Sequence, residues 1–494
     1  MPHVLAIDLG TTSLKVAVVR DDGVVLALAR RGLTMVYVDG GGVEQDATEW
    51  WQHVVSATRE AVSASGVPTA AIAAVVCTSQ YMSVVPVAAD GVPVGPVIMW
   101  LDTRAKERTR HLRHRENITV WLERHGLAPF GSDDLAHIVL LHHEYPRAYE
   151  RAAAFVEPVD AITARLVGFV TANQNTAFPL LLVDNRVHGA VHYDKDLITR
   201  AGIDPAKLPA LVPMGSVVGP LHSSVAWELG LSTSTVVLSG TIDSTTSAVG
   251  TGAISHERCG VVIGTTAVAV SHVRTSRADH FRALMTAPSP VDAQYVVLAE
   301  NGAGGKTLDH VALLIDSSVE SLLDTASGAP AGCDGTMFLP WLVGAMAPAP
   351  SSQARAGFIG LSLGTTQAHL ARAVLEGVAL NMATLLPAVE HFVGSSFREV
   401  TFGGGAAASP LWAQILADAC GRTVHRVDQS RATNARGAAL LAFCGLGVID
   451  NEDLPRFVPI AATHEPERSV AAMFAEARER MVAARELGAT RLAR

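Results

Sequence analysis

The chain has 494 residues, 49% of them hydrophobic and 17% charged, with a mean hydropathy of +0.28. That composition excludes a disordered chain, and the length favours two or more packed domains. A formal charge of −9 and a pI near 6.1 exclude the basic surface needed for a sequence-independent grip on nucleic acid.

The first predicted elements are two strands, with Val4–Ala6 and Val16–Val19 as apolar runs, joined by Gly10-Thr11-Thr12. Glycine lets the backbone approach a phosphate closely, and backbone N–H groups with the hydroxyls of Thr11 and Thr12 can donate to its oxygens. Asp8 adds a carboxylate suited to a hydrated Mg²⁺. An ordinary polar β-turn has the same composition, so the rest of the chain decides between the two. Asp21-Asp22-Gly23 then turns the chain into a third strand, Val24–Ala29.

A helix is predicted from Ala47, capped by Asp46, with Glu49 placed for a capping box. Its Trp51, Val54, Val55, Ala61 and Val62 fall on one face, which would pack on a sheet. Strands at Ala73–Cys77 and Val84–Val87 follow, and this alternation predicts an α/β layered fold. The basic run Arg104, Lys106, Arg108, Arg110, Arg113 and Arg115, interleaved with Glu107 and Glu116, reads as a solvated helix face. His143-Glu144 has Arg147 where a zinc-protease helix needs its second histidine, and Pro146 would break that helix, so the pair is assigned to the surface.

Strand Thr235–Ser239 leads through Gly240-Thr241-Ile242 to Asp243, which opens a helix. That place suits either an N-cap or a carboxylate facing a ligand crevice at the carboxyl end of a sheet. Val261–Val270 then repeats the opening pattern around Gly264-Thr265-Thr266, an internal repeat that predicts two hairpin turns facing one cleft. Gly305-Lys306-Thr307 is no P-loop, because Glu300 stands where the motif needs glycine. A third copy, Gly364-Thr365-Thr366, precedes a helical run over Ala368–Phe392 and reads as its N-cap. Finally, Gly403-Gly404-Gly405 joins strand Arg398–Phe402 to helix Leu411–Ala419, where a flat ring could slide past missing side chains toward free helix N–H groups.

Five scattered cysteines without a Cys-x-x-Cys pair read as reduced thiols of a cytoplasmic protein. No signal peptide is visible, and no run of about 18 apolar residues suits a membrane span.

Together these motifs resemble the FGGY family of carbohydrate kinases. The resemblance covers almost the whole chain, through Asp8-Leu9-Gly10-Thr11-Thr12, Glu44-Gln45-Asp46, Trp100-Leu101-Asp102-Thr103-Arg104, Gly240-Thr241-Ile242-Asp243, Gly264-Thr265-Thr266, Phe338-Leu339-Pro340-Trp341, Arg372–Gly377 and Phe402-Gly403-Gly404-Gly405. It is similar in particular to xylulose kinase-like members. The resemblance implies two RNase H-like α/β domains of the actin, hexokinase and Hsp70 ATPase type around a central cleft, over residues 1–250 and 251–494. It implies ATP and Mg²⁺ as cofactors and a sugar or polyol as the small-molecule partner. No nucleic acid or membrane partner is expected, and a homodimer is common among such kinases.

By the same resemblance, Asp243 is the base that takes the proton of the attacking hydroxyl, and Asp8 with Asp243 serves the metal. Thr11, Thr12 and Ser13 form the first phosphate turn and Gly264 and Thr265 the second. Gly404, Gly405 and Ser409 fall in the adenosine motif, with Gly305 and Asp309 nearby. Gln80, Tyr81, Met82, Asp102 and Ser244 join Asp243 around the substrate. Tyr81 and Met82 depart from the family pattern, which has Met-His or Arg-Glu there, and Ser244 replaces a common asparagine. The acceptor expected is a pentulose such as xylulose. Alternatives are glycerol, a tetritol, ribulose or a signalling ketone, or an actin-like ATPase that uses no sugar.

Overall fold

The computed structural model describes residues 2–113 and 118–491, so Arg115 and Glu116 of the basic run lie outside the described residues. Two mixed sheets dominate, built on one plan. In the first, His3–Leu9 pairs antiparallel with Ser13–Arg20 and parallel with Ile72–Ser79. In the second, Gly260–Ile263 pairs antiparallel with Thr266–Val273 and parallel with Glu399–Gly403. Each sheet thus carries a hairpin whose outer neighbour comes from far along the chain. The first has seven strands, from Val217–Pro220 at one edge to Val25–Gly32 at the other, and the second has eight, from Ala278–Asp279 to Ile460–His464.

The strands of the first hairpin are near-continuous in buried apolar residues because both faces of the sheet are covered. On one face lies the helix Ala47–Ser65, with Trp50, Trp51, Val54, Ala57 and Ala61 inward and Val55 and Val62 at the margin. On the other lies the late helix Thr433–Gly445, whose Ala435, Ala438, Ala439 and Ala442 sit against Val4, Ala6, Ala17 and Val19. Small residues on both sides let that helix approach the strands closely. The second sheet packs on Gln367–Val393, the one helix among the described residues long and apolar enough to cross a membrane, and 78% of its most apolar stretch is buried inside the molecule.

Several local expectations meet their outcome here. Thr366 does cap that long helix, in a box with His369. Asp46 caps its helix by accepting from the Thr48 N–H at 2.8 Å, but no box forms. The Glu49 carboxylate is drawn away by two donors on Thr34, the backbone N–H at 3.2 Å and the hydroxyl at 2.8 Å. The basic run is not one solvated helix face, since only Arg110–Arg113 is helical there. Arg104 turns inward to carboxylates, and Arg113 donates to the carbonyls of Phe130 and Lys106. His143 and Glu144 are exposed at the end of helix Asp134–Glu144, as assigned.

Candidate active site

The two hairpin turns face one another. Thr12 Oγ1 and Thr265 Oγ1 stand 3.3 Å apart across 253 residues of sequence. Between the sheets opens a cavity of about 150 Å³ lined by Asp8, Gly10, Thr11, Thr12 and Ser13 on one side and Gly264, Thr265 and Thr266 on the other. Neighbouring side chains brace the first turn: Trp100 Nε1 donates to Thr11 Oγ1 at 3.2 Å, and Gln45 Nε2 donates to the Thr11 carbonyl at 2.9 Å. Because the Thr11 hydroxyl accepts from Trp100, its own proton is left to donate into the cavity.

Asp243 enters the same cavity at the first position of helix Asp243–Gly250. The N-cap is Ile242, so the carboxylate is not spent on capping. Its approach is held by two buried asparagines that sequence reasoning missed. Asn173 Nδ2 donates to the Gly240 carbonyl at 2.8 Å, and Asn175 Oδ1 accepts the Ile242 N–H at 2.9 Å. Burial, and then the charges of Asp8 and Glu300, push the Asp243 carboxyl up to about 8. Asp8 is itself buried and held by Lys15 Nζ at 2.8 Å.

The same cavity is also lined by Gln80, Tyr81, Met82, Trp100, Ser244 and Glu300. Met82 has a left-handed backbone, φ 61°, unusual for a side chain of its size. The buried Glu157 holds this turn by accepting the Met82 N–H at 2.8 Å, which directs Tyr81 across the cleft. There the Tyr81 hydroxyl donates to Glu300 Oε1 at 2.7 Å.

Other expected residues lie elsewhere. Asp102 does not line the cavity: it is fully enclosed and accepts from the Val43 N–H at 3.0 Å and from the Arg104 N–H and guanidinium at 2.6 to 3.2 Å. Arg104 also binds Glu44 at 2.6 Å, so the acid is consumed in an ion-pair network. Gly305, Asp309, Gly404, Gly405 and Ser409 are also outside that lining. Gly305 opens helix Gly305–Leu314, with its N–H on the Gly264 carbonyl at 2.7 Å, while Asp309 is exposed one turn on. Two of the three consecutive glycines serve packing, since a Cβ at Gly404 would meet Ile263 O at 2.6 Å and one at Gly403 would meet Thr433 Oγ1 at 2.8 Å. Only Gly405 borders open space. Ser409 caps helix Pro410–Cys420 by accepting from the Trp412 N–H.

Residues 3–250 match the model of the FGGY carbohydrate kinase N-terminal domain, and residues 259–446 match that of the C-terminal domain. The chain belongs to the FGGY family of carbohydrate kinases. It is an ATP-dependent sugar kinase of the actin-like ATPase fold. It is 27% identical over 476 residues to the xylulose kinase of Bacillus subtilis (strain 168), covering 94% of this chain and 93% of that one. It is 29% identical over 481 residues to the glycerol kinase of Citrifermentans bemidjiense, with 94% and 95% covered. In fold it is similar to the gluconate kinase of Lactobacillus acidophilus, with a TM-score of 0.84 and 21% identity over 99% of both chains.

Proposed function

We propose that this kinase phosphorylates a pentulose such as xylulose, with Asp243 as general base and Mg²⁺ as the metal. The observation that carries the reading is a half-buried carboxylate at a helix start, not spent on capping, set in one cavity with two facing Gly-Thr-Thr turns. Phosphoryl transfer needs alignment and charge neutralisation more than covalent help. The Thr11, Thr12 and Thr265 hydroxyls and their turn N–H groups would hold phosphate oxygens in line with the acceptor. The Asp243 carboxylate takes the proton of the attacking hydroxyl as the new P–O bond forms and the bond to the ADP oxygen breaks. Its raised pKa makes it a stronger base for that proton than an ordinary aspartate.

The hard oxygen donors of Asp8 and Asp243 fit Mg²⁺, which keeps several waters and takes one or two carboxylates beside substrate phosphates. The mutual repulsion of these neighbouring carboxylates would be relieved by a cation, and the ion would neutralise phosphate charge. Adenosine falls to the turn Gly404-Gly405 and the start of helix Gly305–Leu314, which border the second hairpin, and to the start of helix Pro410–Cys420 just after that turn.

A coupled ADP-release assay across pentuloses, glycerol, tetritols, aldoses and gluconate tests this. ATP turnover should depend on added sugar and be fastest with a pentulose. Turnover that ignores sugar would replace this reading with that of an actin-like ATPase, and a glycerol optimum would move the assignment to a polyol.

A further inference from the structure

The contact between Tyr81 and Glu300 joins the two halves of the molecule at the acceptor end of the cleft. Tyr81 follows strand Ile72–Ser79 of the first sheet, and its ring packs in a cluster with Phe178, Ile242, Val262 and Val268. Glu300 lies within strand Tyr295–Ala303 of the second sheet, paired with Val268, so its side chain is fixed by strand register and not by a loop. One carboxylate oxygen accepts the Tyr81 hydroxyl at 2.7 Å. The other has no protein donor among the described residues, and Glu300 borders the cavity that holds Asp243 and Ser244.

The charge balance here is one-sided. Among the described residues, Asp8, Asp243 and Glu300 line the cavity against a single cation, Lys15, and that ammonium is already on Asp8. A carboxylate acceptor brought to this end would meet like charge with no guanidinium or ammonium to receive it. A neutral polyhydroxy compound would instead supply the hydroxyl donors that a half-used carboxylate lacks.

We propose that Glu300, oriented by Tyr81, is a specificity residue whose free oxygen accepts a hydroxyl of a neutral sugar or polyol and whose charge rejects sugar acids. This rests on the sugar-kinase reading above and narrows its substrate class. A site built to receive a hydroxyl discriminates strongly, because loss of the pair leaves a buried polar group unmatched.

The test is steady-state kinetics of the full chain with ATP, comparing its best neutral acceptor with D-gluconate in wild type, Glu300→Gln and Tyr81→Phe. Glu300→Gln should raise the KM for the neutral acceptor roughly tenfold and raise the relative kcat/KM for gluconate by a similar factor, with the KM for ATP unchanged. Tyr81→Phe, which keeps the ring in its apolar cluster, should raise the acceptor KM by about threefold to tenfold, as expected for one lost hydrogen bond. If Glu300→Gln fails to fold, Tyr81→Phe and the wild-type acceptor ratio carry the test. An unchanged acceptor ranking and KM in the folded variants would reduce the pair to a structural clasp and overturn the proposal. Wild type that uses gluconate as well as any neutral sugar would overturn it too, leaving the kinase reading intact. Absence of sugar-dependent ADP release in wild type would defeat that underlying reading instead.

Discussion

A carboxylate at the first position of a helix ordinarily gains from the helix dipole and stays acidic, yet that of Asp243 is pushed up to about 8 by burial and by Asp8 and Glu300. The folded protein then binds a proton that the unfolded chain, with an ordinary value of 3.8, has already released. Stability contributed at this site is therefore present below about pH 4, falls as pH rises through that window, and levels off above pH 8. Asp243→Asn removes the penalty. Without nucleotide or divalent cation, the variant should melt a few degrees above wild type at pH 8, an effect on the order of a few kcal/mol, with the gap closing toward pH 4. The same variant should lose about 10²- to 10⁴-fold in turnover while its nucleotide affinity holds. Thermal melts from pH 4 to 9 and single-turnover assays check both, and a gap that ignores pH would remove the burial cost from Asp243.

The connection Gly240–Ile242, which delivers Asp243, works as an element because nothing in it can move aside. A Cβ at Gly240 would lie 2.4 Å from the Cys77 carbonyl oxygen and 2.2 Å from Val159 Cγ2, while Asn173 and Asn175 tie its backbone. Gly240→Ala should displace the helix start by a fraction of an ångström to an ångström, costing about 1–3 kcal/mol of stability and up to about 10²-fold in kcat, with little change in nucleotide KM. Kinetics beside far-ultraviolet circular dichroism separate that outcome from unfolding, and unchanged kcat would show that the connection tolerates slack. The hairpins and Asp243 were legible in sequence because each is a local motif, a turn between apolar runs or an acid at a strand-to-helix junction. Glu300 was not, since inside a strand it reads as an ordinary polar residue and only its pairing with Val268 brings it to the cleft. The ion pair that holds Asp102 was hidden for the converse reason: Arg104, which Asp102 shares with Glu44, is brought to both acids only when strand Gly42–Gln45 folds beside it.

On the scale of the molecule, the two sheets meet through a pair of helices packed backbone to backbone. A Cβ at Gly437 would lie 2.0 Å from the Thr246 carbonyl oxygen, and one at Gly250 would lie 2.1 Å from that of Thr433. Through this contact the helix Asp243–Gly250, which also packs on strand Thr266–Val273, is joined to the helix Thr433–Gly445 that covers the first sheet. A segment late in the chain thus completes the core of the first sheet. Arg436, fully buried beside this seam, donates to the carbonyls of Gly23 and Asp428 and ties the turn after strand Ser13–Arg20 to the end of strand Thr423–Val427. Such interdependence predicts that the two halves unfold together, in one calorimetric transition. Gly437→Ala sharpens the test, because alanine favours a helix over glycine by about 1 kcal/mol and should stabilise an isolated helix. Here it should lower the melting temperature, broaden or split the transition, and reduce turnover by moving Asp243 relative to the second hairpin. A raised melting temperature with one sharp transition would mean that helix propensity outweighs the close approach, and that the seam does not couple the sheets.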